Sequence, residues 1–355
     1  MDTGRAQFGQ RVLTGVAAIT HDPADVQSGS WAVVATFEGE FTAVRFTRTE
    51  VLPESRADTE ARGDVRAETP ETPETPAWPG LDGPWRTSLD RAAYTAGVER
   101  IREHIADGSV YQVNLCRVLE HDLPPGADLD GLAARLRAAN PAPFAGRIVV
   151  PEAGLDVVCA SPEAYLRRDG ERIVSSPIKG TAPTLAEMLP KDVAENVMIA
   201  DLIRNDLSRV CEPGTVAVER LCAPEEHPGL VHLVTDVAGR LRAGTTWADV
   251  FAATFPPGSV SGAPKSSALR IIGDLEPAPR GPYCGAIGWI DADAGTAELA
   301  VGIRTFWSTD GPSGRVLRFG TGAGITWGSD PGGEWSETEL KAARLIRLAS
   351  EKVAS

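Results

Sequence analysis

Strand-like and helix-like segments follow one another in an irregular order along this chain, and that order constrains the fold more than any other feature. Runs of β-branched and aromatic residues predict strands, and apolar residues at helical spacing predict helices. The predicted strands cover 12–19, 31–46, 110–119, several short runs within 147–176, 214–221, 231–241, 284–291, 297–307 and 315–320, and the predicted helices cover 94–105, 193–207, 246–254, 264–275 and 333–350. This mixture predicts an α+β fold with large antiparallel sheets and helices outside them.

Three segments are predicted along the chain. Residues 1–52 form a short, strand-rich N-terminal segment, and residues 87–355 form the main domain. Between them, 53–86 is polar and rich in Pro, and it repeats Glu-Thr-Pro three times over 68–76. Such a segment has too little apolar surface to offset the entropy of ordering, so it is predicted to be a disordered or extended loop. A docking motif is the less favoured interpretation.

Charge and cysteine content narrow the classes of partner. The chain has a formal net charge of -14 and no run of Lys or Arg, so neither nucleic acid nor an anionic membrane is an expected partner. Its five cysteines show no Cys-x-x-Cys spacing, which indicates reduced, mostly buried thiols. The apolar stretch at 11–19 is too short and too broken for a secretory signal, and no run reaches membrane-spanning length. We therefore expect a cytoplasmic protein with a small-molecule partner.

One predicted strand has an unusual polar face. Tyr111, Val113 and Leu115 alternate with Gln112 and Asn114. Because successive side chains of a strand point to opposite faces, the two amides share a face that is expected to contact something other than an apolar core.

The segment 258–266 is similar to a phosphate-binding loop but departs from its pattern. That pattern requires Gly immediately before the Lys, and here Ala263 and Pro264 precede Lys265. Nucleotide binding is therefore not expected, although a Gly/Ser turn that leads into a helix could bind a carboxylate.

Two helices carry paired carboxylates three residues apart. Glu334 and Glu337 share one helix face with Lys341 a turn beyond, and Asp192 and Glu195 repeat the spacing on the earlier helix. An ordinary surface ion-pair ladder explains the first pair by itself. Two such pairs that faced each other would instead suit Mg²⁺, which prefers oxygen ligands and is commonly completed by an anionic substrate.

Five collinear blocks stand out along the chain, at 176–181, 194–207, 258–265, 280–285 and 303–305. They resemble the signature blocks of the chorismate-utilising enzymes. Within that family the blocks are most similar to aminodeoxychorismate synthase component I, with anthranilate synthase component I as the sibling group and the isochorismate and salicylate synthases more distant. The resemblance implies the anthranilate synthase component I-like fold, with the antiparallel sheets packed as a sandwich, and it makes 87–355 a chorismate-binding catalytic domain.

The resemblance also implies the residues that bind metal and substrate. Glu195 and Glu337 would be the principal Mg²⁺ carboxylates, with Asp192 and Glu334 as neighbours that act through water. A second set would bind substrate: Tyr283 and Arg304 at the enolpyruvyl carboxylate, His232 beside the ring, and Gly180, Thr181, Gly322, Gly324 and Lys341 near the carboxylates. An arginine offers a permanently charged, bidentate fork for such a group. From local sequence alone, His232 is more typical of a hydrogen-bonded strand histidine.

The resemblance implies two catalytic roles. Glu163 would protonate the departing ring hydroxyl, although by itself it is more typical of a turn carboxylate after Pro162. Lys179 occupies the position where aminodeoxychorismate synthases of this type carry a lysine nucleophile and anthranilate synthases a small residue. Gln112 stands where the water-adding relatives have a lysine, and an amide cannot act as a base. This combination disfavours isochorismate or salicylate synthesis.

The implied reaction is amination of chorismate at carbon 4 through a lysine adduct, giving 4-amino-4-deoxychorismate for para-aminobenzoate and folate or for a secondary metabolite. An unperturbed lysine is neutral in only about 1 molecule in 2,500 at pH 7, so the pocket must lower its pKa. Ammonia would come from a separate glutaminase subunit, because none of the five cysteines lies in a Gly-x-Cys-x-Gly elbow. The alternatives are anthranilate synthase component I and a non-catalytic chorismate-binding protein.

Overall fold

A computed structural model of the chain describes residues 4–53, 77–182, 184–227, 230–312 and 314–352. Its strands are β1 Arg5–Phe8, β2 Arg11–Thr20, β3 Ser30–Ala35, β4 Phe41–Val51, β5 Arg86–Thr87, β6 Gln112–Asp122, β7 Phe144–Val150, β8 Leu155–Ser161, β9 Ala164–Asp169, β10 Arg172–Ser176, β11 Ile178–Ala182, β12 Ala217–His227, β13 Leu230–Arg240, β14 Gly262–Ala263, β15 Ala286–Asp291, β16 Thr296–Val301, β17 Thr305–Gly311 and β18 Gly314–Ile325. Its helices are α1 Arg91–Ala106, α2 Leu129–Ala139, α3 Pro190–Ser208, α4 Trp247–Thr254, α5 Lys265–Leu275 and α6 Pro331–Ser350.

The strands form one continuous antiparallel ladder. Its order is β6, β18, β17, β8, β7, β1, β2, β4, β3, β15, β16, β9, β10 and β13, with β5 and β14 paired to β6 and with β11 and β12 paired to β13. Every strand pair in the described ranges is antiparallel. The α+β class with large antiparallel sheets is therefore confirmed.

The two halves of the ladder share a core, and helices cover the outside. The larger hydrophobic cluster takes side chains from both halves, for example Ile148 and Val157 from one and Val44 and Ile287 from the other. A second cluster lies where α2 and α6 pack on the outer side of β8, β17 and β18. Helix α3 packs against β11, β12 and β13. This layering matches the sheets-inside, helices-outside arrangement that the sequence predicts.

Five predicted helices are present, and α2 is an additional one. Its pattern was available in the sequence, since Leu129, Leu132 and Leu136 share a buried face and Asp128 caps the N-terminus. The single strand predicted over 297–307 is wrong in detail. It is two strands, β16 and β17, separated by a turn in which Arg304 adopts a left-handed φ of 52°.

The N-terminal strands have no core of their own. Strands β1 to β4 lie in the middle of the ladder, where β1 pairs with β7 and β3 pairs with β15. The Glu-Thr-Pro repeats at 68–76 lie outside the described residues. In the described end of the predicted loop, 77–86, Trp78 and Leu81 are buried in the second cluster.

Residues outside the site agree with two further expectations. All five cysteines are free thiols, and four of them are buried. Among the described helices, none is both long and apolar enough to span a membrane.

Candidate active site

Lys179 lies on β11 at the meeting point of four elements. Its half-buried side chain is influenced first by Glu195 on α3 and by Glu163 from the β8–β9 turn, and then by Lys341 and Glu337 on α6. Burial lowers the pKa of Lys179, while the three carboxylates act in the opposite direction. The structure therefore brings together the proposed nucleophile, the proposed acid and one carboxylate from each of the two helices.

Glu163 is a buried carboxyl with two hydrogen-bond donors. The Ser259 hydroxyl donates to its Oε1 over 2.5 Å, and the backbone N–H of Ile178 also donates to the carboxylate. Burial raises the pKa of Glu163 to about 7, and Ser259, Lys179 and Ile178 limit that rise. A carboxyl that is partly protonated at neutral pH can act as a general acid.

Asn196 anchors α3 beside Lys179. Its fully buried side chain donates through Nδ2 to the carbonyl oxygens of Lys179 (3.3 Å) and Leu233 (3.0 Å), and its Oδ1 accepts from the Thr235 hydroxyl. Because Asn196 directly follows Glu195, this one amide sets the position of Glu195 relative to β11.

Helix α6 presents Glu337 and Lys341 to the site as an ion pair. Their charged groups are 2.6 Å apart, and Lys341 Nζ also donates to the Gly322 carbonyl on β18 over 3.2 Å. The helix begins after Asp330, whose carboxylate accepts from the Gly333 N–H as predicted for a capping residue. The i, i+4 ion pair is real, and it also lies next to Lys179.

Arg117 on β6 holds the same turn of α6 from beneath. Its Nε donates to Thr338 Oγ1 over 3.0 Å, its guanidinium lies 4.2 Å from the centre of the Trp335 ring, and it forms an ion pair with Glu339. These contacts fix the rotation of the helix turn that carries Glu337.

Asp192 serves as a capping residue at the start of α3. Its carboxylate accepts from the Leu189 N–H over 2.9 Å. Its Cβ also lies 2.9 Å from where a Cβ of Gly180 would stand, and Gly180 has a left-handed φ of 84°. Glycine is therefore required there by the first turn of α3 as well as by backbone conformation.

Two carboxylates, Glu195 and Glu337, could supply the protein's share of the ligands for the implied Mg²⁺. Among the described residues, no group of three or more His, Cys, Asp or Glu side chains could hold a metal ion by itself. Mg²⁺ usually takes one or two protein carboxylates and completes its shell with water and substrate oxygens. Glu195 and Glu337, on opposite helices, match that requirement, whereas Asp192 is engaged at the helix start. Glu334 lies near Glu337, since both act on the Tyr94 hydroxyl.

Tyr283 lies against β18, and Arg304 lies in the turn between β16 and β17. The buried Tyr283 ring packs over Gly320, where a Cβ would lie 2.0 Å from the ring, and its hydroxyl accepts from Cys116 Sγ over 3.9 Å. Arg304 is half-buried, and burial followed by the nearby Arg344 lowers its pKa. A guanidinium remains charged under such conditions and can bind a carboxylate.

Gly322 and Gly324 lie close to the side chains of β6. A Cβ at Gly322 would lie 2.6 Å from Cys116 Sγ, and a Cβ at Gly324 would lie 2.4 Å from Gln112 Nε2. Contacts within the protein therefore favour glycine at both positions, and the approach of substrate carboxylates to them stays a prediction.

The polar face of β6 is buried. Gln112 is 1% exposed, and neither of its amide atoms has a hydrogen-bond partner within the described residues. Asn114 donates to the Ser259 carbonyl over 3.0 Å. The expectation that this face contacts something polar is confirmed for Asn114. Tyr111, expected on the apolar face, is 69% exposed because it precedes the strand.

His232 and Thr181 pair across β13 and β11. His232 is buried, and its opposite neighbour on β12 is Glu225. The side chain of Thr181 lies outside what the structure describes, so only its backbone register is known.

Comparison with known proteins identifies the family. The model of a chorismate binding enzyme family matches residues 10–347 of the chain. The chain belongs to the chorismate-binding enzymes. Relatives with curated names include anthranilate synthase component 1 of Streptomyces coelicolor, 40% identical over 274 residues, which are 74% of this chain and 52% of that one.

Two other relatives in the family are named aminodeoxychorismate synthases. Aminodeoxychorismate synthase of Streptomyces griseus is 37% identical over 350 residues, covering 94% of this chain and 44% of that one. Aminodeoxychorismate synthase component 1 of Klebsiella aerogenes is 36% identical over 278 residues, covering 75% and 60%. The chain thus spans about half the length of the curated relatives it matches.

Solved structures of chorismate-utilising enzymes share the fold. An isochorismate synthase from Bacillus anthracis aligns with a TM-score of 0.76 at 21% identity, covering 98% of this chain and 96% of that one. Anthranilate synthase component I from Streptococcus pneumoniae aligns with a TM-score of 0.72 at 24% identity, covering 92% and 82%. The predicted anthranilate synthase component I-like fold is confirmed.

Three residues that position the predicted site residues were not singled out from the sequence. They are Ser259, Asn196 and Arg117. Asn196 did have a signal, because it is a polar residue that continues the buried stripe of Ile199 and Ile203. The other two lacked a local signal, since each acts on a residue far away in sequence.

Proposed function

We propose that this chain is an aminodeoxychorismate synthase component I. It would aminate chorismate at carbon 4, with ammonia from a glutaminase partner, to give 4-amino-4-deoxychorismate. The observation that carries the proposal is Lys179: it lies half-buried beside Glu163 and Glu195, and burial lowers its pKa. The names of the Streptomyces griseus and Klebsiella aerogenes relatives support the same assignment.

The proposed reaction has two allylic displacements. Neutral Lys179 attacks carbon 2 through Nζ, both ring double bonds shift, and the carbon 4 hydroxyl leaves as water with a proton from Glu163. Ammonia then attacks carbon 4, both double bonds shift back, and Lys179 leaves carbon 2 as a neutral amine. The new ammonium group returns one proton to Glu163. Atoms and protons therefore balance over one turnover.

Glu195 and Glu337 would hold Mg²⁺ in this scheme. When bound, the ion supplies positive charge that compensates the substrate carboxylate facing the two glutamates. Glu337 is paired with Lys341 beside Lys179.

Anthranilate synthase component I is the second candidate. The observation in its favour is the 40% identity to the protein of that name from Streptomyces coelicolor. That enzyme class aminates carbon 2 directly and then eliminates pyruvate. A lysine at position 179 would stand in the path of that direct attack.

The deciding experiment is product analysis. We expect the purified chain, given chorismate, Mg²⁺ and ammonium, to form aminodeoxychorismate, identified by mass and chromatography. Anthranilate as the product would select the second candidate. Absence of turnover with retained chorismate binding would select the non-catalytic alternative. With glutamine in place of ammonium, we expect no product until a glutaminase subunit is added.

Covalent trapping tests the role of Lys179. Enzyme quenched during turnover should carry a substrate adduct on the peptide that contains Lys179. Lys179→Ala should lack the adduct and lose amination at carbon 4, and Lys179→Arg should not restore it, because a guanidinium is not neutral enough to attack. A Lys179→Ala enzyme with unchanged rate and product would contradict the mechanism.

A further inference from the structure

We propose that Ser259 is a positioning residue for Glu163: its hydroxyl, 2.5 Å from Oε1, holds the carboxyl in the orientation from which it delivers its proton. This inference rests on the proposed function, in which Glu163 is the acid. Ser259 belongs to the block that resembles a phosphate loop, and its contact with Glu163 gives that block a different use.

The turn that carries Ser259 is held from three directions. It is a single 3-10 turn, Gly258–Val260, that precedes β14. Asn114 donates to the Ser259 carbonyl (3.0 Å), Arg280 donates to the Val260 carbonyl (3.0 Å), and the Leu202 side chain lies 2.6 Å from where a Cβ of Gly258 would stand. The hydroxyl of Ser259 therefore has a fixed position relative to β6 and α3.

The contact is buried on both sides. Ser259 is 4% exposed and Glu163 is 5% exposed, so bulk water does not compete for Oε1. The Ile178 N–H also donates to the carboxylate. A substitution can remove the Ser259 hydroxyl while this backbone donor stays, so the contribution of Ser259 to the orientation of the carboxyl can be measured by itself.

Other charged groups surround Glu163 and must be distinguished from Ser259. On the substrate side these are Lys179, and around it Glu195, Glu337 and Lys341. On the far side, a cavity of about 10 Å³, roughly the space of one water molecule, is lined by Glu163, Ser259, Thr254, Tyr165 and Asp206. Asp206 is neutralised there by Lys265 at 2.6 Å.

An isosteric pair of variants isolates the hydroxyl. Ser259→Thr keeps it and Ser259→Val removes it, and both add their methyl next to the cavity. Ser261→Ala is the matched control, because Ser261 is a fully buried serine that directly follows the same turn and its hydroxyl donates to the Pro257 and Gly258 carbonyls. Ser259→Ala removes the hydroxyl without adding volume and serves if the valine variant does not fold.

The readouts are kcat, KM for chorismate, and an infrared titration of the protonated carboxyl band that is absent from Glu163→Gln. For Ser259→Val we expect kcat to fall about tenfold with KM within about twofold, a fraction of what general acid catalysis contributes. The titration of Glu163 should move above pH 7, because a donor to the charged form has been lost. Ser259→Thr and Ser261→Ala should keep the parent values.

The outcomes separate this inference from the proposed function. If Ser259→Val and Ser259→Thr titrate and turn over alike, the hydroxyl has no positioning role and the inference is overturned. If Glu163→Gln keeps the full rate of amination, the acid role of Glu163 in the proposed function fails first. Loss of activity in Glu163→Gln together with an unmoved titration in Ser259→Val would overturn the inference alone.

Discussion

Helices α3 and α6 each direct one glutamate toward Lys179, but the fold holds them very differently. Around Glu337, α6 is held from several sides: Arg117 contacts Trp335 and Thr338, and the Trp335 ring meets Tyr94 edge to face at 5.7 Å. The first turns of α3 instead leave large apolar side chains exposed, namely Leu189, Val193 and Val197. There, the buried Asn196 provides the attachment.

The comparison shows two ways of placing a carboxylate. The position of Glu337 follows from many contacts, so the loss of one of them is shared among the rest. Next to Glu195, the buried amide of Asn196 contributes three hydrogen bonds, and Ile199 and Ile203 pack the helix further along. The site therefore combines a helix held by several contacts around its glutamate with one held there mainly through a neighbouring amide.

The largest expected effect tests whether Glu195 on α3 and Glu337 on α6 bind the same metal ion. Glu195→Gln and Glu337→Gln should each lower Mg²⁺-dependent amination by at least about 100-fold, because each removes a negative ligand. The measurement is a Mg²⁺ titration of initial rate, with Mn²⁺ binding followed by electron paramagnetic resonance. Asp192→Asn is the control and should change activity far less, since Asp192 caps α3. Amination that survives exhaustive chelation would refute a metal role for either glutamate.

The next largest effect is expected when Arg117, the clamp that holds α6, is replaced. Arg117→Met should lower the free energy of unfolding by about 2–3 kcal/mol, because a buried guanidinium loses its bonds to Thr338 and Glu339 and its stacking on Trp335. Urea denaturation measures it. The control is Arg347→Met, an exposed ion pair on the same helix, which should change stability by less than about 0.5 kcal/mol. Equal effects of the two variants would mean that the clamp adds nothing.

Substitution of Asn196 is expected to lower stability by a comparable or smaller amount and also to lower catalytic activity. Asn196→Ala should cost about 1–3 kcal/mol, because it leaves the Lys179 and Leu233 carbonyls without their donor. It should also lower kcat, since Lys179 and Glu195 are no longer tied together. Asn205→Ala, at an exposed position of the same helix, is the matched control. A normal kcat in Asn196→Ala would show that α3 has another anchor.

The smallest effect concerns the exposed face of α3. Val193→Ser should change the free energy of unfolding by no more than about 0.5 kcal/mol, because the side chain is already largely in water. Ile199→Ser, in the buried stripe, should cost several times more. A loss above about 1 kcal/mol in Val193→Ser would mean that this face is packed, and the contrast between the helices would disappear.

The local part of the fold was predictable from sequence because periodicity is local. Residues 246–254 and 264–275 became helices almost to the residue, since apolar spacing and turn residues mark both ends. The ladder was not predictable: Arg5 lies opposite Val149, and no local pattern encodes a partner so distant. The break at Arg304 was missed for a similar reason, because the composition on its two sides is equally strand-like.

The chemical roles of individual site residues were less predictable from sequence than the strands and helices that carry them. By local sequence, Glu163 is a turn carboxylate and Lys179 a surface lysine. What distinguishes them is burial and mutual proximity, which arise only when β8, β11 and two helices meet. The resemblance supplied those residues, whereas the groups that hold them, such as Ser259 and Asn196, required the three-dimensional structure.

One feature of β18 limits how this scaffold can change. Gly320, Gly322 and Gly324 alternate along the strand. An added Cβ would lie 2.0 Å from the Tyr283 ring at Gly320 and 2.6 Å from the Leu115 carbonyl oxygen at Gly322, whereas at Gly324 the nearest atom is the flexible end of Gln112. This surface is therefore bare backbone, with little room for a side chain that selection could exchange. Divergence toward another reaction has more room on strands that do carry side chains, such as β6 with Gln112 and β11 with Lys179. In this part of the molecule, natural variation and laboratory evolution would both act on side chains of β6 and β11.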